Sequence, residues 1–200
     1  MFIDNGYNLN ASVVRVDTIG IVGDGNGIGN MDGAVNTKEK IIRISTGVAI
    51  DDKIIAYDKA KDNMLYLVVK TNDGIYNSLG VDKEDLNQVY VTCGRYKVYF
   101  NNTSGENSLS DYIDKPVCII GHKRELNSKE EIIAAKQALV FGRINLNKNN
   151  ELIVEIETSE FEKILDEGFL GAPIFIDGKI IATVSEIRDK GTVIPQAFHS

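Results

Sequence analysis

Asp166-Glu167-Gly168-Phe169-Leu170-Gly171-Ala172-Pro173-Ile174-Phe175-Ile176-Asp177-Gly178-Lys179-Ile180-Ile181-Ala182-Thr183-Val184-Ser185 is the stretch whose reading decides the fold. Its second half is a hairpin. Two apolar, β-branched runs, residues 174–176 and 179–185, meet at Asp177-Gly178, a pair suited to a tight type I′ turn with both central residues at positive φ. The first half is a glycine-punctuated turn, Gly168-Phe169-Leu170-Gly171-Ala172-Pro173, that delivers the chain into that hairpin.

Working outward, short strand-like runs with turn residues between them continue on both sides. Residues 12–17 read as a first strand, then 41–45, 47–50, 53–56, 65–70, 75–81, 89–93 and 95–100, with a turn at Asn72-Asp73-Gly74. A polar stretch, residues 101–114, reads as a linker, and 116–120, 138–146, 152–157, 174–176 and 179–187 form a second β-rich half. This pattern predicts an all-β protein of two antiparallel six-stranded β-barrels. Its divisions are an N-terminal half over 1–100, a linker over 101–114 and a C-terminal half over 115–200, together one structural unit. Helix is expected only in short pieces. Ser128-Lys129-Glu130-Glu131 has the pattern of a capping box before Ile132, Ile133 and Ala135, and Ser159-Glu160-Phe161-Glu162 is a second, with Gly168 placed as the stop.

Residues 20–33 carry Gly20, Gly23, Gly25, Gly27, Gly29 and Gly33 among Asn and Asp, and read as a loop. The last glycine is not followed by the Lys-Ser or Lys-Thr of a phosphate cradle, and Ile28 stands where a dinucleotide fingerprint needs its third glycine. Asp24, Asn26, Asn30 and Asp32 offer oxygens to calcium, but Ile28 interrupts them and Val35 sits at the place of the closing bidentate glutamate. No cofactor and no metal is expected.

At 200 residues and 43% hydrophobic the chain has material for a sizeable core. Its formal net charge of -7 argues against a protein that tracks a nucleic-acid backbone or an anionic membrane, since either needs a basic surface. No apolar run approaches the roughly 20 residues of a bilayer span, so the chain reads as soluble and cytoplasmic, or as part of something exported. Cys93 and Cys118 are the only cysteines and lie in apolar runs, which fits buried, reduced thiols.

The turn Gly168-Phe169-Leu170-Gly171-Ala172-Pro173 resembles the Gly-x-Ser-Gly-[Gly/Ala]-Pro signature of trypsin-like serine proteases, and the order of other motifs extends the resemblance to the HtrA type. Ser45-Thr46-Gly47-Val48-Ala49-Ile50 with Asp52-Lys53-Ile54-Ile55-Ala56 looks like the strands leading to that family's catalytic histidine. Lys115-Pro116-Val117-Cys118-Ile119-Ile120-Gly121 and Gly191-Thr192-Val193-Ile194-Pro195 are similar to later strands. The resemblance implies a double barrel with a peptide cleft. It places the histidine position on Lys59, beside Tyr57 and Asp58, the aspartate position near Asp85, and the nucleophile on Leu170. Leucine has no lone pair and no ionisable proton, so the triad is degenerate and a catalytically dead protease homologue is expected. The resemblance also gives the cleft its peptide-binding candidates: Ile164 and Gly168 near the specificity pocket, Leu170 at its mouth, and Val184-Ser185-Glu186 as the strand that a ligand joins edge to edge.

Three functions remain open on the sequence: a regulatory module binding a peptide or protein partner, a structural or assembly protein using the double barrel as scaffold, and a hydrolase with relocated catalytic residues. His122 and His199 are the only histidines. A Cys118–His122 dyad would need a bend after Gly121, since four residues of straight strand separate the two by roughly 13 Å; the alternative is a buried thiol and a histidine on a surface loop. Asp166 and Glu167 could hold a metal or act as an acid–base pair, or else form a solvated helix end.

Overall fold

The computed structural model describes residues 11–23, 37–51, 53–58, 63–68, 78–81, 88–92, 108–188 and 191–197. Strands dominate, and all pair antiparallel. The first half is a six-stranded sheet of β1 (Val13–Gly23), β2 (Thr37–Ile50), β3 (Lys53–Asp58), β4 (Asn63–Val68), β5 (Ser78–Val81) and β6 (Gln88–Thr92). Its order is β4-β3-β2-β1-β6-β5. β1 and β2 make a long hairpin, paired from Val13↔Val48 to Gly23↔Thr37 with an irregularity after Thr18. Gly20 and Gly23 therefore belong to a strand, not to the loop that the run of glycines suggested. Cross-strand pairing with Lys40 and Thr37 supplies the order that the residues themselves do not. The four oxygen-bearing residues considered for calcium lie outside the described residues.

The second half closes on itself. β7 (Pro116–Leu126), β8 (Ile132–Leu146), β9 (Leu152–Ile156), β10 (Pro173–Ile176), β11 (Lys179–Arg188) and β12 (Thr192–Ala197) form a barrel in the order β10-β11-β12-β9-β8-β7. Closure comes from Ile174↔Ile119 and Phe175↔Cys118, which join β10 to β7. The expected six strands per half are present. The second set is a closed barrel, whereas the first is an open run of six among the described residues.

Burial explains which stretches alternate and which do not. On β8, Val140, Gly142 and Ile144 are buried while Phe141 and Arg143 are exposed, as for a strand with one wet face. β10 is buried at all four positions, and β7 is buried from Val117 to His122. Both strands face two cores. Ile119 and Ile174 point into the barrel with Val140, Val154 and Val184. Cys118, Ile120 and Phe175 point the other way and pack against Val13, Val48, Ile50 and Ile55 of the first half. This second core joins the two halves, and its continuous apolar strands were legible as such in the sequence.

The hairpin at Asp177-Gly178 forms with φ of 49° and 77°, the two positive values of a type I′ turn. The helix expected from Ser128 does not form. Residues 128–130 are a turn and residues 132–146 are strand. Asn127 decides the matter: its Oδ1 accepts from the backbone N–H groups of Lys129 and Glu131, closing a turn that competes with a helix cap. Asn147 does the same for Asn149 and Glu151 between β8 and β9. The second helical expectation holds in short form, as a 3-10 turn over Thr158–Glu160 followed by the one-turn helix α1 (Phe161–Ile164). No side chain caps either piece.

Candidate functional site

The turn before β10 begins as a 3-10 helix over Glu167–Phe169. Asp166 caps it, with Oδ1 accepting from the Gly168 N–H at 2.8 Å, and the Leu170 N–H donates to the Glu167 carbonyl at 3.0 Å. Gly171 then turns the chain at φ 84°, a conformation that favours glycine, and its N–H donates to the Val184 carbonyl at 2.8 Å. Phe169 is fully buried in the barrel, against the bare α-carbon of Gly121: a Cβ there would lie 2.4 Å from its ring. Leu170 is left half-buried at the surface.

Thr46 of β2 holds this turn from the other half of the molecule. Its N–H donates to the Leu170 carbonyl at 2.9 Å and its hydroxyl donates to the Gly168 carbonyl at 2.6 Å. The same oxygen accepts from the His122 N–H at 3.1 Å and lies 3.0 Å from His122 Nδ1. A hydroxyl has one proton, and Gly168 takes it, so Nδ1 must be the donor in its contact. His122 is thereby the neutral Nδ1–H tautomer. Burial first, and the nearby Arg15 guanidinium second, push its pKa down to about 4, so the ring is uncharged at neutral pH.

His122 is therefore neither on a surface loop nor in a dyad. β7 runs unbroken through residue 126, which keeps Cys118 and His122 a strand segment apart, and Nδ1 engages Thr46. Cys118 sits between the halves with its thiol pushed up to about 12, chiefly by burial, which removes the thiolate a nucleophile requires. Thr46 and His122 resemble a hydroxyl–imidazole pair, yet Thr46 is fully buried and its proton is committed to a carbonyl. This pair is structural.

Arg124 completes the turn. Its N–H and Nε–H both donate to Asp166 Oδ1, at 3.3 and 3.1 Å, and one terminal nitrogen lies 3.6 Å from Glu167. Asp166 is thus a partly buried cap with a guanidinium partner, while Glu167 stays largely exposed. No group of three or more potential metal ligands occurs among the described residues.

Beside Leu170 lies an open cleft of about 490 Å³. Tyr57, Leu165, Leu170 and Ile187 give it apolar surface, and Glu167, Ser185, Glu186 and Arg188 give it polar groups. Of the residues expected to bind a peptide, Leu170, Ser185 and Glu186 line this space. Ile164 and Val184 are fully buried in the barrel core, and Gly168 is buried beneath the turn. Leu165, the next residue after Ile164, is the exposed apolar one, at 54%. Lys59 and Asp85 lie outside the described residues; Tyr57, two residues before Lys59, reaches the cleft. Arg124 and Thr46 carried no local signal, because both act on backbone far away in sequence.

β11 is bordered on one side by β12, through Glu186↔Ile194, Ile187↔Val193 and Arg188↔Thr192, with an irregularity at Ser185. On the other side β10 reaches only as far as Pro173↔Thr183, and the Val184 N–H and C=O are taken by Ala172 and Gly171. Residues 185–188 consequently have no strand on their cleft-side edge among the described residues.

The fold has a counterpart among solved structures. The HtrA-type protease AlgW, solved with a decapeptide, matches at a TM-score of 0.50 and 16% sequence identity, over 98% of this chain and 63% of the other. The chain thus spans less than two thirds of that protein's length. This chain has the HtrA-type protease fold. Deg5 matches at a TM-score of 0.45 and 11% identity, over 96% of this chain and 87% of that one. No protein-family model matches the HtrA-like chain, and no curated protein matches it significantly. Against the fold, Leu170 stands at the position to which the sequence resemblance gives the nucleophile, and the N–H groups of Gly168 and Leu170 that flank it are bonded internally.

Proposed function

We propose that this HtrA-like chain is a non-proteolytic binding module that takes an extended peptide, or an extended segment of a protein, into the cleft beside Leu170. The observation that carries the reading is the cleft itself: about 490 Å³ of open space next to a strand edge, residues 185–188, with no β-partner among the described residues. An extended ligand gains affinity there through main-chain hydrogen bonds, and specificity through whichever side chain rests on Leu165, Leu170 and Ile187. Leu170 is already half-buried, so covering the rest of it would contribute about half of the roughly 1.5 to 3 kcal/mol of a fully exposed leucine, on the order of 1 kcal/mol.

Chemistry at the same turn supports the non-proteolytic reading. Leucine offers no nucleophile, and two N–H groups already bonded to Asp166 and Glu167 are unavailable to stabilise an oxyanion. The test is calorimetric titration of the full chain with a peptide carrying one apolar anchor, alongside its backbone N-methylated counterpart. The unmodified peptide is expected to bind and the methylated one to bind weakly. Equal binding of both, or none of either, would overturn strand addition.

A further inference from the structure

We propose that the cleft selects a cationic partner: an extended segment in which an apolar anchor is flanked within one or two residues by Lys or Arg. This deepens the peptide-binding reading above and rests on it. The apolar patch of Leu165, Leu170 and Ile187 is bordered by Glu167 and by Glu186 of β11, whose cleft-side edge has no strand beside it among the described residues. The Glu167 side chain is 67% exposed, and its one ionic neighbour among the described residues is Arg124 at 3.6 Å. That arginine is already committed to Asp166 at 3.1 Å, so Glu167 is weakly neutralised.

Arg188, the one cation lining the cleft among the described residues, is committed in the same way. Arg188 donates from Nε to Glu186 at 3.1 Å and through both terminal nitrogens to the carboxylate of Glu151, at 3.0 and 3.3 Å. These bonds hold the Glu151 carboxyl below the usual range and leave Arg188 little capacity to attract an acidic ligand. Taking the described lining residues with the ionised groups bonded to them, three carboxylates (Glu151, Glu167, Glu186) face two guanidinium groups (Arg124, Arg188). The excess is one negative charge on a chain of net charge -7. Charge complementarity at a half-exposed site favours a cationic flank and repels an acidic one, which sets specificity more than raw affinity.

The experiment compares three capped peptides sharing one apolar anchor and differing only in flanks: Lys, Gln or Glu. Titrated into the full chain at low salt, the Lys peptide is expected to bind about three- to tenfold more tightly than the Gln peptide, and the Glu peptide most weakly. That ratio should collapse toward one in 1 M salt, where the screening length is about 3 Å, and shrink in the variants Glu167→Gln and Glu186→Gln. Glu130→Gln, in the exposed turn between β7 and β8, should leave it unchanged. Equal binding of all three peptides overturns the charge preference and leaves the peptide-binding reading standing. Binding by none overturns both. Self-association of the ligand-free chain that competes with the Lys peptide would show a second copy to be the occupant and overturn the proposal.

Discussion

The hydroxyl of Thr46 and the carbonyl of Gly168, on opposite halves of the molecule, are 2.6 Å apart and both buried. With the His122 N–H and Nδ1–H converging on the same oxygen, one side chain satisfies three groups of the second half. Thr46→Val keeps the shape and removes that oxygen, leaving three buried polar groups without it. The expected loss of stability is about 3 kcal/mol, given about 1–3 for each group left unsatisfied and partial relaxation around the site. Urea unfolding of the two proteins measures it. Thr46→Ser, which retains the oxygen, should cost about 1 kcal/mol.

His122 makes stability depend on pH. Its pKa is near 4 in the folded protein against an ordinary 6.5, so between those values the unfolded chain binds a proton that the folded chain refuses. The stabilisation is complete above pH 6.5, falls as the pH drops through the window and is exhausted below about 4. Its full size is on the order of 3 kcal/mol, at 1.36 per pH unit. Urea midpoints at pH 7.5, 5.5 and 4.5 should decline in that order, and His122→Gln should flatten the part of the slope that belongs to the ring. An NMR titration placing the His122 midpoint at 6 or above would contradict the neutral assignment.

Gly171 occupies the one place in the turn where both backbone and space demand glycine. At φ 84° a side chain is strained, and a Cβ would lie 2.2 Å from the Thr46 carbonyl oxygen and 3.0 Å from the Tyr57 nitrogen. Gly171→Ala must therefore push the two halves apart, at an expected cost of about 3 kcal/mol or more. Gly178→Ala, in the half-exposed hairpin turn, should cost about 1 kcal/mol. Thermal melts of both variants give the ranking.

What was legible beforehand was local. Asp177-Gly178 names its own turn, and the two-sided burial of β7 and β10 shows as unbroken apolar runs at Val117-Cys118-Ile119-Ile120 and Pro173-Ile174-Phe175-Ile176. Where β7 leaves the core its sequence becomes polar, and only the ladder with β8, from Gly121↔Ala138 to Leu126↔Ile132, keeps it a strand. His122 was misplaced onto a loop for that reason. At Ser128 two local devices competed, and the Asn127 turn prevailed because β7 and β8 were already paired on either side of it. Thr46 was unreadable: its partner Gly168 is 122 residues away, and nothing nearby announces it. In the cleft, the exposure of Leu165 rather than Ile164 depends on the rotation of a single helical turn, which spacing alone does not settle.

Restoring the hydroxyl at the turn should not restore catalysis. Leu170→Ser would place an Oγ at the mouth of the cleft, yet the Leu170 N–H remains bonded to the Glu167 carbonyl and the Gly168 N–H to Asp166, so an oxyanion would find its donors occupied. Nor do the described residues hold a free histidine to act as base. His122, the one histidine among the described residues, has Nδ1 engaged by the buried Thr46 hydroxyl. General-base catalysis is worth about 10²- to 10⁴-fold and loss of an oxyanion donor about 10²- to 10³-fold, so the serine variant should show no casein cleavage above background. It should also remain unlabelled by a fluorophosphonate probe, as should the native chain. Asp166→Asn combined with Leu170→Ser separates the two deficits. Removing the charge weakens the cap that Arg124 and Gly168 share, but supplies no base, so the double variant should stay unlabelled as well. Stoichiometric labelling of the single variant would show that a base lies within reach of residue 170 and that the turn opens in solution; labelling of the double variant alone would assign the block to Asp166.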